Sequence, residues 1–235
     1  MDGAIILAGG QSRRMGGADK AQVRAFGLRL VDRLRRQLPY GMPSIVISPH
    51  YLGLPQVCES PLFGGPVAGI EAGACALSQC ERLAIFAVDA PDSPQMLPRL
   101  DDALNAAPTA GAAITRAADG YLQPLCSLWH TDALFGCLGA LESTRNVSVR
   151  RLIRGADFVE VAGTGAERDY DTPAELQSIP PHPPFALTGT ANLATLPSPR
   201  EREGTVRERL FAAGAKDIGK QRRNNPKGIC HGAGG

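Results

Sequence analysis

The sequence predicts an α/β fold of three layers: a mostly parallel sheet with helices on both faces. Two observations carry this. Short β-branched and aliphatic runs alternate with segments of helical periodicity through the first three quarters of the chain. Alternation of that kind builds a sheet whose crossover helices cover both of its faces. The chain has 235 residues, 43% of them hydrophobic, which suits a globular core in one domain or two small ones.

The expected strands are Ala4–Ala8, Ser44–Ser48, Ala84–Val88, Ala112–Thr115, Leu125–Trp129 and Phe158–Val161. Between them helices are expected over Leu28–Leu38, Val67–Ser78, Pro94–Ala106, Thr131–Leu141 and Val147–Arg154. The first helix has apolar residues at 28, 30, 31, 34 and 38, a helical stripe that leaves Arg33, Arg35 and Arg36 outside it. Pro66 fits the first turn of the second, where a missing N–H is harmless. Asp92 and Ser93, just before Pro94, are the expected cap of the third. Near Ile179 the character changes. Pro180-Pro-His-Pro-Pro184, Ser198-Pro-Arg-Glu-Arg-Glu-Gly204 and Gln221-Arg-Arg-Asn-Asn-Pro-Lys-Gly228 are rich in breakers and charge. Such composition buries too little apolar area to offset ordering entropy. Residues 1–178 therefore read as one folded domain and 179–235 as a Pro-rich, basic, disordered tail.

With 25 basic and 23 acidic residues the net charge is +2, so bulk charge does not call for nucleic acid or a membrane surface. No apolar run approaches the roughly 18 residues of a membrane span, and the N-terminus lacks signal-peptide character. A cytoplasmic location is expected. The six cysteines form no Cys-x-x-Cys pair, which points to idle or buried thiols rather than zinc or a disulfide framework.

The chemistry concentrates in Leu7-Ala-Gly-Gly-Gln-Ser-Arg-Arg-Met-Gly-Gly-Ala-Asp-Lys20, directly after the first strand. A buried strand running into a glycine-rich loop presents backbone N–H groups to phosphate. In an open parallel sheet that loop lies at the carboxyl edge, where ligands bind. Gly9 and Gly10 let backbone approach a ligand closely. Arg14 can grip phosphate oxygens in a bidentate fork, and Lys20 adds a compact charge. A double glycine alone is an ordinary turn; the dense spacing of Gly, Ser, Arg, Met-Gly and Asp-Lys points to a nucleoside triphosphate. The loop fits neither Gly-x-x-x-x-Gly-Lys-Ser/Thr nor Gly-x-Gly-x-x-Gly. It resembles the signature Leu-Ala-Gly-Gly-x-Ser-x-Arg-Met-Gly-x-x-Lys of the molybdenum cofactor guanylyltransferases, members of the Rossmann-like nucleotidyltransferases. The matching residues are Leu7, Ala8, Gly9, Gly10, Ser12, Arg14, Met15, Gly16, Asp19 and Lys20.

Other segments resemble the same family in order. Gly65-Pro-Val-Ala-Gly69 is similar to its loop beside the nucleotide, and Val88-Asp-Ala-Pro91 to its metal motif. Tyr121-Leu-Gln-Pro-Leu-Cys-Ser-Leu-Trp129 looks like the acceptor side. Asn146-Val-Ser-Val-Arg-Arg-Leu152 and Asp169-Tyr-Asp-Thr-Pro-Ala-Glu-Leu176 resemble the last two blocks. An aspartate at a strand's carboxyl edge is well placed to hold Mg2+, so Asp89 is the expected metal ligand. The resemblance implies a nucleotide site of Leu7, Ala8, Gly9, Gly10, Lys20, Ser48, Glu59, Gly65 and Asp89, with Arg14, Lys20 and Asp89 carrying the reaction. Ser48 stands where the family usually has asparagine, Glu59 where relatives have aspartate, Gln123-Pro124 for His-Pro, and Asp169-x-Asp171 for Asn-x-Asn. These departures bear on acceptor and base and leave the triphosphate and metal chemistry standing.

The implied activity is transfer of GMP from GTP to the terminal phosphate of molybdopterin, with Mg2+ as cofactor and release of pyrophosphate. Transient contact with molybdoenzymes or their chaperones, and none with nucleic acid or membrane, goes with it. The alternatives are a related transferase using CTP or a sugar-phosphate acceptor, and a non-catalytic nucleotide- or cofactor-binding chaperone. Gly10, where many cytidylyl relatives carry alanine, favours the guanylyl reading.

Overall fold

The computed structural model describes residues 1–9, 20–25 and 27–179. The expected tail falls outside these residues from residue 180 on, as do Gly10 and Arg14. The strands are β1 (Asp2–Leu7), β2 (Arg24–Ala25), β3 (Leu28–Arg29), β4 (Ser44–Ile47), β5 (Gln56–Val57), β6 (Arg82–Ala87), β7 (Ala112–Arg116), β8 (Leu122–His130) and β9 (Phe158–Ala162). The helices are α1 (Leu30–Arg35), α2 (Pro66–Ala76), α3 (Leu97–Ala106), α4 (Thr131–Gly139), α5 (Val149–Ile153) and α6 (Pro173–Gln177).

Seven strands form one sheet in the order β5-β4-β1-β6-β8-β7-β9. Only β8 runs against its neighbours β6 and β7. The period-2 alternation of β1 divides the core in two. Ala4 and Ile6 pack on one face with Leu30 and Leu34 of α1, Leu100 and Leu104 of α3, and Leu176 of α6. Ile5 and Leu7 pack on the other with Ile70 of α2, Phe135 and Leu138 of α4, and Leu152 of α5. The three-layer expectation is met. On the second face α2 comes very close to the sheet because Gly69 and Gly73 have no side chain. A Cβ on Gly73 would lie 2.6 Å from Ile5 Cγ2, and one on Gly69 3.2 Å from Leu7 Cδ2.

Several expectations are corrected. Leu28 and Arg29 pair with Arg24 and Ala25 as a small antiparallel ribbon, with Gly27 turning at φ 81°, so the helix starts only at Leu30. Ser93–Met96 forms a 3-10 turn, and α3 starts at Leu97, beside Pro98, whose missing N–H is harmless in a first turn. Asp92 occupies the cap position of that turn, but its side chain makes no cap bond. It instead takes both oxygens to Arg33, Nε to Oδ1 and Nη2 to Oδ2, each at 2.9 Å. Arg33, expected on the outer face of its helix, is only 3% exposed. Of the expected stripe only Leu30, Val31 and Leu34 lie on the helix, all buried, and a neighbouring turn covers its polar flank. Gln37 Nε2 closes the cluster on Pro91 O at 2.7 Å and Asp92 Oδ1 at 3.1 Å. Within β8 the pairing with β7 shifts near Pro124, which has no N–H to give the ladder. All five described cysteines are free; Cys80, Cys126 and Cys137 are buried, and Cys58 is exposed. Among the described residues no helix is long and apolar enough to cross a membrane.

Removing one partner of a buried ion pair leaves the other charge uncompensated and costs about 3–5 kcal/mol. Arg33→Met should therefore lower the unfolding free energy by about that amount in urea titrations. The double variant Arg33→Met/Asp92→Leu should recover most of the loss, because two apolar groups leave no stranded charge.

Candidate active site

The register of three parallel strands builds the site. Leu7 of β1 pairs with Ile47 of β4 on one side and Ala87 of β6 on the other. The ladder continues just past the strands, with Ala8 N donating to Ile47 O at 2.9 Å and Val88 N to Leu7 O at 3.0 Å. Two residues beyond that row, Gly9, Pro49 and Asp89 leave the sheet side by side. All three line a cleft of about 500 Å3 at its carboxyl edge, a volume within the usual range for small-molecule sites.

The sheet order lays out the cleft. On the β4–β5 side lie Ile47, Pro49, Glu59, Phe63, Gly65, Pro66 and Gly69; on the β6–β8 side lie Ala87, Val88, Asp89 and Leu125. Lys20 and Asp171 complete the wall. Gly65 begins α2 with φ 89°, a left-handed conformation that suits glycine. Pro66 takes the first helical position, as the sequence suggests.

The polar centre joins three distant parts of the chain. Lys20 Nζ lies 3.1 Å from Asp89 Oδ2 and 2.5 Å from Asp171 Oδ1. Burial works against the Lys20 ammonium, but the two carboxylates outweigh it and raise its pKa. Asp89 is fixed through its carbonyl, which accepts from Tyr170 N at 2.9 Å. Asp171 is fixed through its own N–H, which donates to Glu175 Oε2 at 2.9 Å. Glu175 and Thr172 also form the capping box of α6. The short helix α6 thus anchors one carboxylate of the site while its start returns the chain to the sheet edge.

Two carboxylates converging on one cationic nitrogen mark a point where positive charge is favoured. Their hard oxygen donors have the chemistry of a Mg2+ site, in which one or two carboxylates act with phosphate oxygens and water. Leu7, Ala8, Gly9, Lys20, Glu59, Gly65 and Asp89, all singled out from sequence, share the cleft. Gly10 and Arg14 lie outside the described residues. Ser48 does not line the cleft: it is buried, and its hydroxyl donates to His50 O and accepts from His50 N, each at 3.1 Å. Asp171 was visible in the sequence only as a departure from asparagine. The signal that marks it is its place just before Thr-Pro-x-Glu, a helix start that fixes an acidic residue in space.

Comparison with known proteins bears on this arrangement. The family model for the MobA-like NTP transferase domain matches residues 4–161. A molybdenum cofactor guanylyltransferase of Cereibacter sphaeroides is 35% identical over 135 residues, covering 53% of this chain and 67% of that protein. One of Mesorhizobium japonicum is 30% identical over 177 residues, covering 68% of this chain and 78% of that protein. The chain spans about two thirds of the length of the first curated relatives it matches. Among solved structures, the molybdopterin-guanine dinucleotide biosynthesis protein A of Archaeoglobus fulgidus superposes with a TM-score of 0.57 at 18% identity. The match covers 76% of this chain and 96% of that one, a likeness of fold.

Partial loss of hydration at its carboxyl, in a residue that is exposed as a whole, pushes Asp169 up to about 6 from the ordinary 3.8, with Asp89 and Asp171 adding and Lys20 opposing. A carboxyl that holds its proton more tightly when folded makes stability fall as pH rises from about 4 to about 6. Asp169→Asn should remove that fall. At pH 7, without nucleotide and in EDTA, it should raise Tm by about 2–4 °C, equivalent to the ~1 kcal/mol left once solvent screening of this exposed residue is allowed for. Thermal melts across pH 4–8 read both effects.

Proposed function

The chain belongs to the family of MobA-like NTP transferase domains, and from that premise we propose that it transfers GMP from GTP to the terminal phosphate of molybdopterin. The observation that carries this reading is the meeting of Asp89 and Asp171 at Lys20, beside the glycine-rich start of the first loop. The names of the curated relatives supply the acceptor and the base.

GTP lies with its base toward the β4–β5 side of the cleft, against Gly9, Glu59 and Gly65, and its phosphates toward Lys20 and Asp89. A phosphate oxygen of molybdopterin attacks the α-phosphorus in line; the bond to the β-phosphate oxygen breaks and pyrophosphate leaves. The nucleophile is already ionised and needs little help from a general base. Positioning and charge stabilisation therefore carry the reaction. Lys20 moves from its carboxylate partners to neutralise charge on the departing pyrophosphate, and Arg14 of the first loop does the same. Asp89 and Asp171 would hold Mg2+, which would supply positive charge toward the phosphates. The acceptor approaches from the Leu125 side, where β8 begins. GTP and molybdopterin are the substrates in this reading, and transient contact with molybdoenzymes or their chaperones follows from the product. The reaction takes place in the cytoplasm.

Purified protein with Mg2+, GTP and molybdopterin should release pyrophosphate, and Asp89→Ala should lower turnover about 100-fold or more with native circular dichroism. GTP at about 100 times its Kd, with Mg2+, should raise Tm by about 5 °C or more while CTP does not. Protection by CTP alone would overturn the guanylyl assignment. Tight GTP binding without pyrophosphate release would favour the chaperone.

A further inference from the structure

Phe63 is unusual in three ways at once. It is 50% exposed, although it is a large apolar residue. Its backbone is left-handed at φ 61°, a conformation that costs an L-residue energy and that glycine or asparagine adopts far more readily. And it lines the cleft, on the side formed by Ile47, Pro49 and Glu59.

Contacts on both sides of Phe63 brace the segment. Arg145 Nη1 donates to Pro61 O at 2.5 Å, two residues before Phe63. Asn146 N donates to Gly64 O at 2.6 Å, immediately after it. A Cβ on Gly64 would lie 2.8 Å from Ala68 Cβ and 3.0 Å from Arg145 Nη1, so the chain there is tightly wedged. Backbone strain persists where surrounding contacts over-determine it, and it concentrates at ligand clamps. Half-exposure leaves the ring a poor source of core stability, and the strain works against folding. The arrangement makes sense as a rigid aromatic face held ready at the cleft wall.

Resting on the transferase reading above, we propose that Phe63 is the stacking platform for the purine base of the nucleotide. Carboxylates and Lys20 occupy the opposite side of the cleft and suit phosphate and metal; the β4–β5 side is apolar apart from Glu59. A planar base laid on Phe63 can reach Glu59 with its edge, so that the ring supplies affinity and the carboxylate reads donors. Phe63 thus acts on the base and leaves the triphosphate contacts alone.

The test compares the full chain with its Phe63→Gly and Phe63→Trp variants, using calorimetric titration with GTP and with inorganic triphosphate, both with Mg2+. Loss of one stacked base should weaken GTP binding by Phe63→Gly about tenfold, while inorganic triphosphate binds within twofold of wild type. Phe63→Trp should hold GTP within twofold or tighter. The melting temperature of Phe63→Gly should stay level or rise, since glycine accepts the left-handed backbone. Unchanged GTP affinity in Phe63→Gly, or an equal loss for inorganic triphosphate, would overturn the proposal. So would a drop in melting temperature that accounts for the weaker binding. Failure of the wild-type protein to bind GTP at all would overturn the transferase reading itself.

Discussion

Everything about the site depends on the parallel register of β1 with β4 and β6. The row Leu7, Ile47 and Ala87 is fixed by burial: shifting any one strand by a residue would turn its alternating side chains to the opposite core. Two packed faces leave no such freedom. Because the row is fixed, so is the position two residues beyond it, where Gly9, Pro49 and Asp89 emerge together. Hydrophobic packing thus sets the spacing of a polar cleft without taking part in its chemistry.

The second constraint is electrostatic. Lys20, Asp89 and Asp171 come from the end of the first loop, the end of β6 and the start of α6, and each needs the others nearby to be tolerable in a partly enclosed setting. Arg33 and Asp92 repeat the arrangement one layer deeper, tying α1 to the turn that carries Asp89. The two clusters share that turn, so the backbone at 89–92 is held from below by a bidentate pair and from the side by Tyr170 N. The Asp89 carboxylate is thereby held in one place at the cleft wall, and a group held in place needs less reorganisation in any binding it takes part in.

The sequence makes the six main strands and five of the helices legible because burial on the sheet leaves long apolar runs and helical stripes. It hides β5 and the β2–β3 ribbon, since two-residue strands carry no period, and it hides α6, which rests on capping rather than on an apolar stripe. Within the site, Gly9, Lys20, Glu59, Gly65 and Asp89 were visible through spacing and resemblance. Phe63 was not, because nothing in the letters Leu-Phe-Gly announces a positive φ, and the residues that brace its segment, Arg145 and Asn146, are distant in sequence. Ser48, named through the resemblance, spends its hydroxyl on the turn that follows it, a use that the letters alone do not show. Arg33 was misplaced because periodicity describes one helix and not the turn that packs over it.

The contact between Lys20 and Asp171 spans 151 positions along the chain. A ribosome adds roughly 5–20 residues each second, so Lys20 waits on the order of ten seconds or more for its second carboxylate to be made. The early strands can pair meanwhile, but the charged centre stays incomplete until α6 has emerged. A chain cut between residues 162 and 171 would hold the seven strands of the sheet and lack the far side of its polar centre. The polar centre is therefore completed late in synthesis, after the sheet: among the described residues, Lys20 has no carboxylate partner until Asp89, 69 positions on, is made, and only that one until Asp171 follows.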